Sequence, residues 1–93
     1  MVRTAVVMHV KLPEGVLPED DLAMLNDLVV PLAKAQVGFK NGIWARDGKG
    51  HGMGVIVFDT AENAAAAQDV LKPPAGQGPE LISSDLYEVG AQA

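Results

Sequence analysis

The stretch Gly52-Met53-Gly54-Val55-Ile56-Val57-Phe58-Asp59 decides how the chain folds, because it is apolar almost throughout and is bounded by a turn signal and a helix signal. Before it, Asp47-Gly48-Lys49-Gly50 follows a second apolar run, residues 37–46, and its glycines supply the positive φ angles of a tight reversal. The two runs form a hairpin. A two- or four-residue loop pairs Trp44 with Met53, Gly42 with Val55, Ile43 with Gly54 and Phe39 with Phe58. Side-chain alternation then puts Phe39, Ile43, Ile56 and Phe58 on one side of the sheet and Trp44, Met53, Val55 and Val57 on the other. In this register Asn41 points under the helices, and Arg46 and His51 face each other at the hairpin end. Both sheet faces are apolar, so each needs a cover.

Downstream, Asp59-Thr60 precedes Ala61-Glu62-Asn63-Ala64-Ala65-Ala66-Ala67-Gln68-Asp69-Val70-Leu71. Thr60 suits an N-cap, Glu62 suits the positive end of a helix dipole, and alanine is the strongest helix former. Small alanines let that helix lie close on the sheet. Upstream, residues 4–11 alternate as a first strand, with His9 the ionisable group in its middle. A turn-rich connection over 12–17 leads to Pro18-Glu19-Asp20-Asp21, a helix start with proline and acids in the first turn. Leu22, Leu25, Leu28, Val29 and Leu32 then recur as one apolar stripe, which is expected to face the sheet. Pro31 interrupts the stripe and predicts a kink, since an interior proline removes a backbone bond and crowds the preceding turn. Residues 72–80 read as a proline- and glycine-rich loop, and 81–89 as a last strand.

The order is strand, helix, strand, strand, helix, strand. Short right-handed connections of this kind predict an α+β, ferredoxin-like β-α-β-β-α-β sandwich in which a four-stranded antiparallel sheet carries two helices on one face. The 93 residues form a single domain, 1–93, able to bury roughly 60–65% of the surface of its unfolded chain. With 48% hydrophobic and 4% aromatic residues, the core is aliphatic, and a mean hydropathy of +0.16 leaves apolar surface for a partner to cover. Lacking cysteine, the chain has no disulfide framework and no thiol ligand, which fits a cytoplasmic location. The run after Arg3 is too short and too alternating for a secretory segment, and no stretch reaches membrane-spanning length. A net charge of −5 opposes binding to phosphate backbones, so nucleic acid is not expected as a partner.

The run 49–58 resembles the signature strand of the RNA-recognition motif. The resemblance implies the same topology and turns Ile56 and Phe58 inward. Its outward positions, aromatic in that family so that bases can stack, are Met53 and Val55 here, and RNA binding is not carried over. A second resemblance spans nearly the whole chain. Gly38-Phe39, Gly42-Ile43-Trp44, Gly54 to Thr60 before an alanine-rich helix, and a closing Leu86-Tyr87-Glu88-Val89 look like the dimeric α+β barrel superfamily of antibiotic-biosynthesis-monooxygenase-like proteins. That resemblance implies a homodimer in which two sheets pair by their open faces around a shared or per-subunit cavity.

The residues proposed for function follow from these placements. His9, facing a water-poor interior, would move a proton or hold a ligand, and it is the candidate catalytic residue. Trp44 is a candidate ligand contact or interface anchor, with Arg46 and Tyr87 as further candidate ligand contacts. No metal site and no cofactor are expected, because no ligand cluster can be assembled from spacing. The expected function is to bind a small, largely apolar molecule inside a homodimeric barrel. Its alternatives are a cofactor-independent monooxygenase acting on an aromatic or polyketide-like substrate, and a non-catalytic interaction module.

Overall fold

Four strands and two helices account for the fold in a computed structural model that describes residues 2–15, 18–73 and 79–92, with the side chains of Pro18 and Asp21 left aside. The strands are β1 (Thr4–Lys11), β2 (Phe39–Arg46), β3 (His51–Phe58) and β4 (Glu80–Glu88). They form one antiparallel sheet in the order β2-β3-β1-β4. The first helix follows β1 and the second, Ala61–Leu71, follows β3. The middle of the expected 72–80 loop and the end of the 12–17 connection lie outside the described residues.

The core forms between the sheet and the helices. Val6 and Met8 of β1 and Ile56 and Phe58 of β3 meet Ala33 of the first helix and Ala64, Ala67 and Leu71 of the second. Phe58, Ile56 and Val6 are its largest fully buried side chains. Phe39 stands edge-on to Phe58, with ring centroids 6.3 Å apart and planes at 79°, a favoured aromatic arrangement. The alanine helix begins as its sequence predicts: the Asn63 backbone N–H donates to Thr60 Oγ1 at 3.1 Å. Its inward alanines bring it near enough to β4 for Gln68 Nε2 to donate to the Ser84 carbonyl (3.0 Å) and hydroxyl (2.9 Å).

The hairpin departs from its predicted register. Arg46 lies opposite Gly52 and Trp44 opposite Gly54, and the Asp47 N–H donates to the His51 carbonyl. The reversal therefore uses three residues, 48–50. Gly48 and Gly50 take φ of 76° and 89°, conformations that cost L residues energy. Asp47 Oδ1 accepts from the backbone N–H groups of Lys49 (2.7 Å) and His51 (3.2 Å). The Lys49 bond is the main cause of an Asp47 pKa held below the ordinary carboxylate value. A carboxyl depressed in the folded state holds the loop at pH above its unfolded pKa, and that hold is released as pH falls through the lower folded value.

An odd loop shifts the pairing by one residue, and one residue exchanges the faces. Trp44 turns toward the helices instead of the open face, Ile43 turns outward, and Asn41 lies opposite Val57 on the open side. Arg46 and His51 are no longer opposite one another. Phe39 still meets Phe58 because the ladder shifts again between Phe39 and Asn41, leaving Lys40 unpaired.

The first helix changes its winding just before the proline. It comprises an α-helical segment Pro18–Met24, a π-helical segment Leu25–Val29 and an α-helical segment Val30–Lys34. The Val30 N–H reaches back five residues to the Leu25 carbonyl. Pro31 has no N–H to give the Asp27 carbonyl, and its ring crowds that group, so widening the preceding turn relieves both. Downstream of the widened turn, Ala33 is fully buried and its segment meets β2 and the alanine helix. Upstream the helix stands away from the sheet.

Candidate functional site

That divergence leaves a cleft of about 460 Å³ between the first helix and the hairpin half of the sheet, closed on a third side by the end of the alanine helix. Met8, Val10, Gly52 and Gly54 contribute the sheet wall, and the leucine stripe forms the opposite wall. The stripe faces the sheet as its periodicity predicts, but it does not pack there. Leu28 is 65% exposed, Leu22 48% and Leu32 44%.

Trp44 forms part of the floor. Its indole lies flat over two glycines: a Cβ on Gly42 would stand 2.7 Å from Cη2, and one on Gly54 3.3 Å from Nε1. The buried Nε1 has no hydrogen-bond partner among the described residues. Leaving such a donor unpaired costs about 1–3 kcal/mol, which ring packing against the core must offset. The ring is thus held by shape, in a slot made by the absence of two side chains.

Of the residues selected from sequence, Trp44 and Arg46 meet at this cleft. His9 and Tyr87 do not. His9 sits on the other face of the sheet, exposed, between Met53 and Ser83. Tyr87 lies opposite Ala5 on that same face, 56% exposed, beside a shallower depression shared with Val2 and Leu86. Lys72, just past the alanine helix, lines the cleft and was not singled out by sequence reasoning. Its signal was available: β3 leaves the hairpin and the alanine helix runs back, which returns residue 72 toward the end where Arg46 lies. No cluster of three or more histidine or acidic groups able to hold a metal occurs among the described residues. No described helix is long and apolar enough to cross a membrane.

No protein-family model matches the chain, and no curated protein matches it. Among solved structures it resembles the crystal structure of a protein of unknown function from Nitrosomonas europaea, with a TM-score of 0.63 and 20% identity. The match covers 100% of this chain and 94% of that one. The likeness defines a class by fold alone: a small α+β protein with a four-stranded antiparallel sheet and two helices.

Proposed function

We propose that this protein binds a small, largely apolar molecule, and that the molecule occupies the cleft between the first helix and the sheet. One observation carries the proposal: the leucine stripe and the sheet face enclose a space of ligand size that neither fills. Apolar walls left wet lose the stabilisation that a ligand's burial would return, roughly 25 cal/mol for each Å² covered. The cleft is lined by neither histidine nor acid among the described residues. That favours binding over proton-transfer chemistry, and it makes a monooxygenase reaction through His9 the weaker alternative.

Titration with N-phenyl-1-naphthylamine, a neutral dye that brightens in apolar surroundings, tests the proposal. Saturable one-to-one binding is expected. Leu28→Glu should weaken it at least about tenfold by placing a charge in the cleft wall, with little loss of stability because Leu28 is already largely exposed. Non-saturating binding, or equal binding by the variant, would count against the cleft.

A second copy of the chain on the open face of the sheet completes the proposal. The strand order β2-β3-β1-β4 supports a ferredoxin-like reading, in which the barrel superfamily pairs two sheets by their open faces. Supporting it, Ile43 is 64% exposed there, opposite Val55 and beside Met53, with Val7 one strand farther on and Tyr87 exposed on the far edge strand of the same face. Such a patch commonly marks an interface. Sedimentation equilibrium should give twice the 9.7 kDa chain mass. Ile43→Lys should return it to one chain, and a wild-type monomer at all concentrations would end this part of the proposal.

A further inference from the structure

The two ends of the first helix are held differently. Downstream, Ala33 is fully buried and the segment Val30–Lys34 meets β2 and the alanine helix. Upstream, the segments Pro18–Met24 and Leu25–Val29 meet chiefly their own helix, and among the described residues their contacts with the sheet are sparse. The upstream part is thus an arm joined to the core at one end. On this arm Leu22, Met24 and Leu28 are exposed, although they line the same cleft as Met8 and Val10 of the sheet wall. Apolar surface that faces apolar surface across water favours closure, because settling removes both from the solvent. The joint between arm and anchor is the wide turn. It holds one residue more than a turn of α-helix, and Pro31, lacking an N–H, cannot restore the regular bond to the Asp27 carbonyl. At its other end the arm is reached by way of Gly15, whose φ is +80° with nothing within 4 Å of a would-be Cβ, so the backbone there has room to follow a movement.

We propose that the arm Pro18–Val29 is a lid on the cleft and that the wide turn before Pro31 is its hinge. A bound molecule selects the stand-off position seen in the structure over one in which the leucine stripe settles on the sheet. The proposal rests on the binding function assigned above and adds how the cleft opens. A molecule in the cleft covers the stripe and the sheet wall at once, so it interacts with the stand-off position alone, and that difference shifts the lid. Apparent affinity is then scaled by the fraction of lids standing off. Pro31 is not among the residues lining the cleft, which makes it a positioning residue. An alanine at 31 has an N–H to donate to the Asp27 carbonyl. The turn then winds as regular α-helix, which rotates the arm by about 100° against the anchored segment and turns the stripe away from the sheet wall.

The chain has no cysteine, so spin labels can be placed by Ala23→Cys on the arm and Ala65→Cys on the alanine helix, both exposed and neither lining the cleft. Double electron–electron resonance on labelled chain diluted into unlabelled chain reads the distance between them. Two distances are expected without N-phenyl-1-naphthylamine and one at saturation with it. A single distance that the dye leaves unchanged overturns the lid, and where the dye titration still saturates, the binding site stands. Two distances with no saturable dye binding overturn selection by a bound molecule together with the binding function. Pro31→Ala should weaken dye binding at least about tenfold. Its melting temperature should be no lower than that of wild type, because alanine replaces proline within a helix. Equal dye affinity in this variant overturns the hinge. A lower melting temperature also overturns it, because the wide turn would then serve the fold and not the cleft.

Discussion

Replacing Phe58 with alanine is expected to lower the free energy of unfolding by about 3–5 kcal/mol. Phe58 is fully buried at the end of β3, where its ring meets Phe39 edge-on and joins strand residues to both helices through the shared cluster. Truncation removes transfer free energy and leaves a void that the rigid strand pair β1–β3 cannot close. A domain of this size has a total stability of about 5–15 kcal/mol, so the loss consumes much of it. Urea unfolding followed by far-ultraviolet circular dichroism measures the change. Phe58→Leu, which keeps most of the volume, should cost clearly less and gives a folded reference if the alanine variant does not fold. A loss under about 1.5 kcal/mol for Phe58→Ala would mean that the described core is not the one holding the molecule together.

The second large effect is expected at Gly38, where the first helix hands over to β2. Its φ of +84° costs a residue with a side chain about 1–3 kcal/mol in backbone strain. A Cβ there would also run into the Asp59 carboxylate and come within 2.6 Å of Asn63 Nδ2. These two groups are hydrogen-bonded to each other at 2.8 Å, and the Asp59 N–H donates to the Gly38 carbonyl at 2.9 Å. Alanine at 38 therefore strains the backbone and disturbs the start of the alanine helix at once. Gly48 provides the comparison. It has a φ of +76° but nothing within 4 Å of its would-be Cβ, so Gly48→Ala should show the backbone cost alone. Thermal melts of the two variants should rank Gly38→Ala well below Gly48→Ala. Equal melting temperatures would show that the crowding at Gly38 is relieved at no cost.

Much of the fold was legible because its signals are local. Period-two alternation in 4–11, turn residues at 47–50 and the Thr60 cap each fix their own segment, and the order of elements follows. The inward direction of Ile56 and Phe58 was legible too, since the strand's burial and the alanine helix beside it agree. What escaped was parity. Asp47-Gly48-Lys49-Gly50 accommodates an even or an odd loop, and that single residue decides whether Trp44 faces the open side of the sheet or the cleft. Hidden as well was the separation between the first helix and the sheet. Periodicity tells which leucines share a stripe, but not whether a widened turn before Pro31 will hold that stripe away from its cover. Arg46 belonged to the candidate set for its place at a strand end, whereas Lys72 needed the return direction of the alanine helix to be joined to it. His9 was chosen for an enclosure that only a second copy of the chain would complete, and it lies on the open face where such a copy would sit.

The position of the bound molecule is the most direct test of the functional proposal. Methyl-labelled protein, titrated with N-phenyl-1-naphthylamine and followed by carbon–proton correlation spectra, reports every leucine, valine and isoleucine separately. Leu25, Leu28, Leu32 and Val70, drawn from two helices and joined only by the cleft, should shift together and saturate at one equivalent. Ile43, Val7 and Val55, on the opposite face of the sheet, should hold still. Shifts confined to the open-face residues, or no saturable shifts at all, would contradict a binding site beneath the first helix.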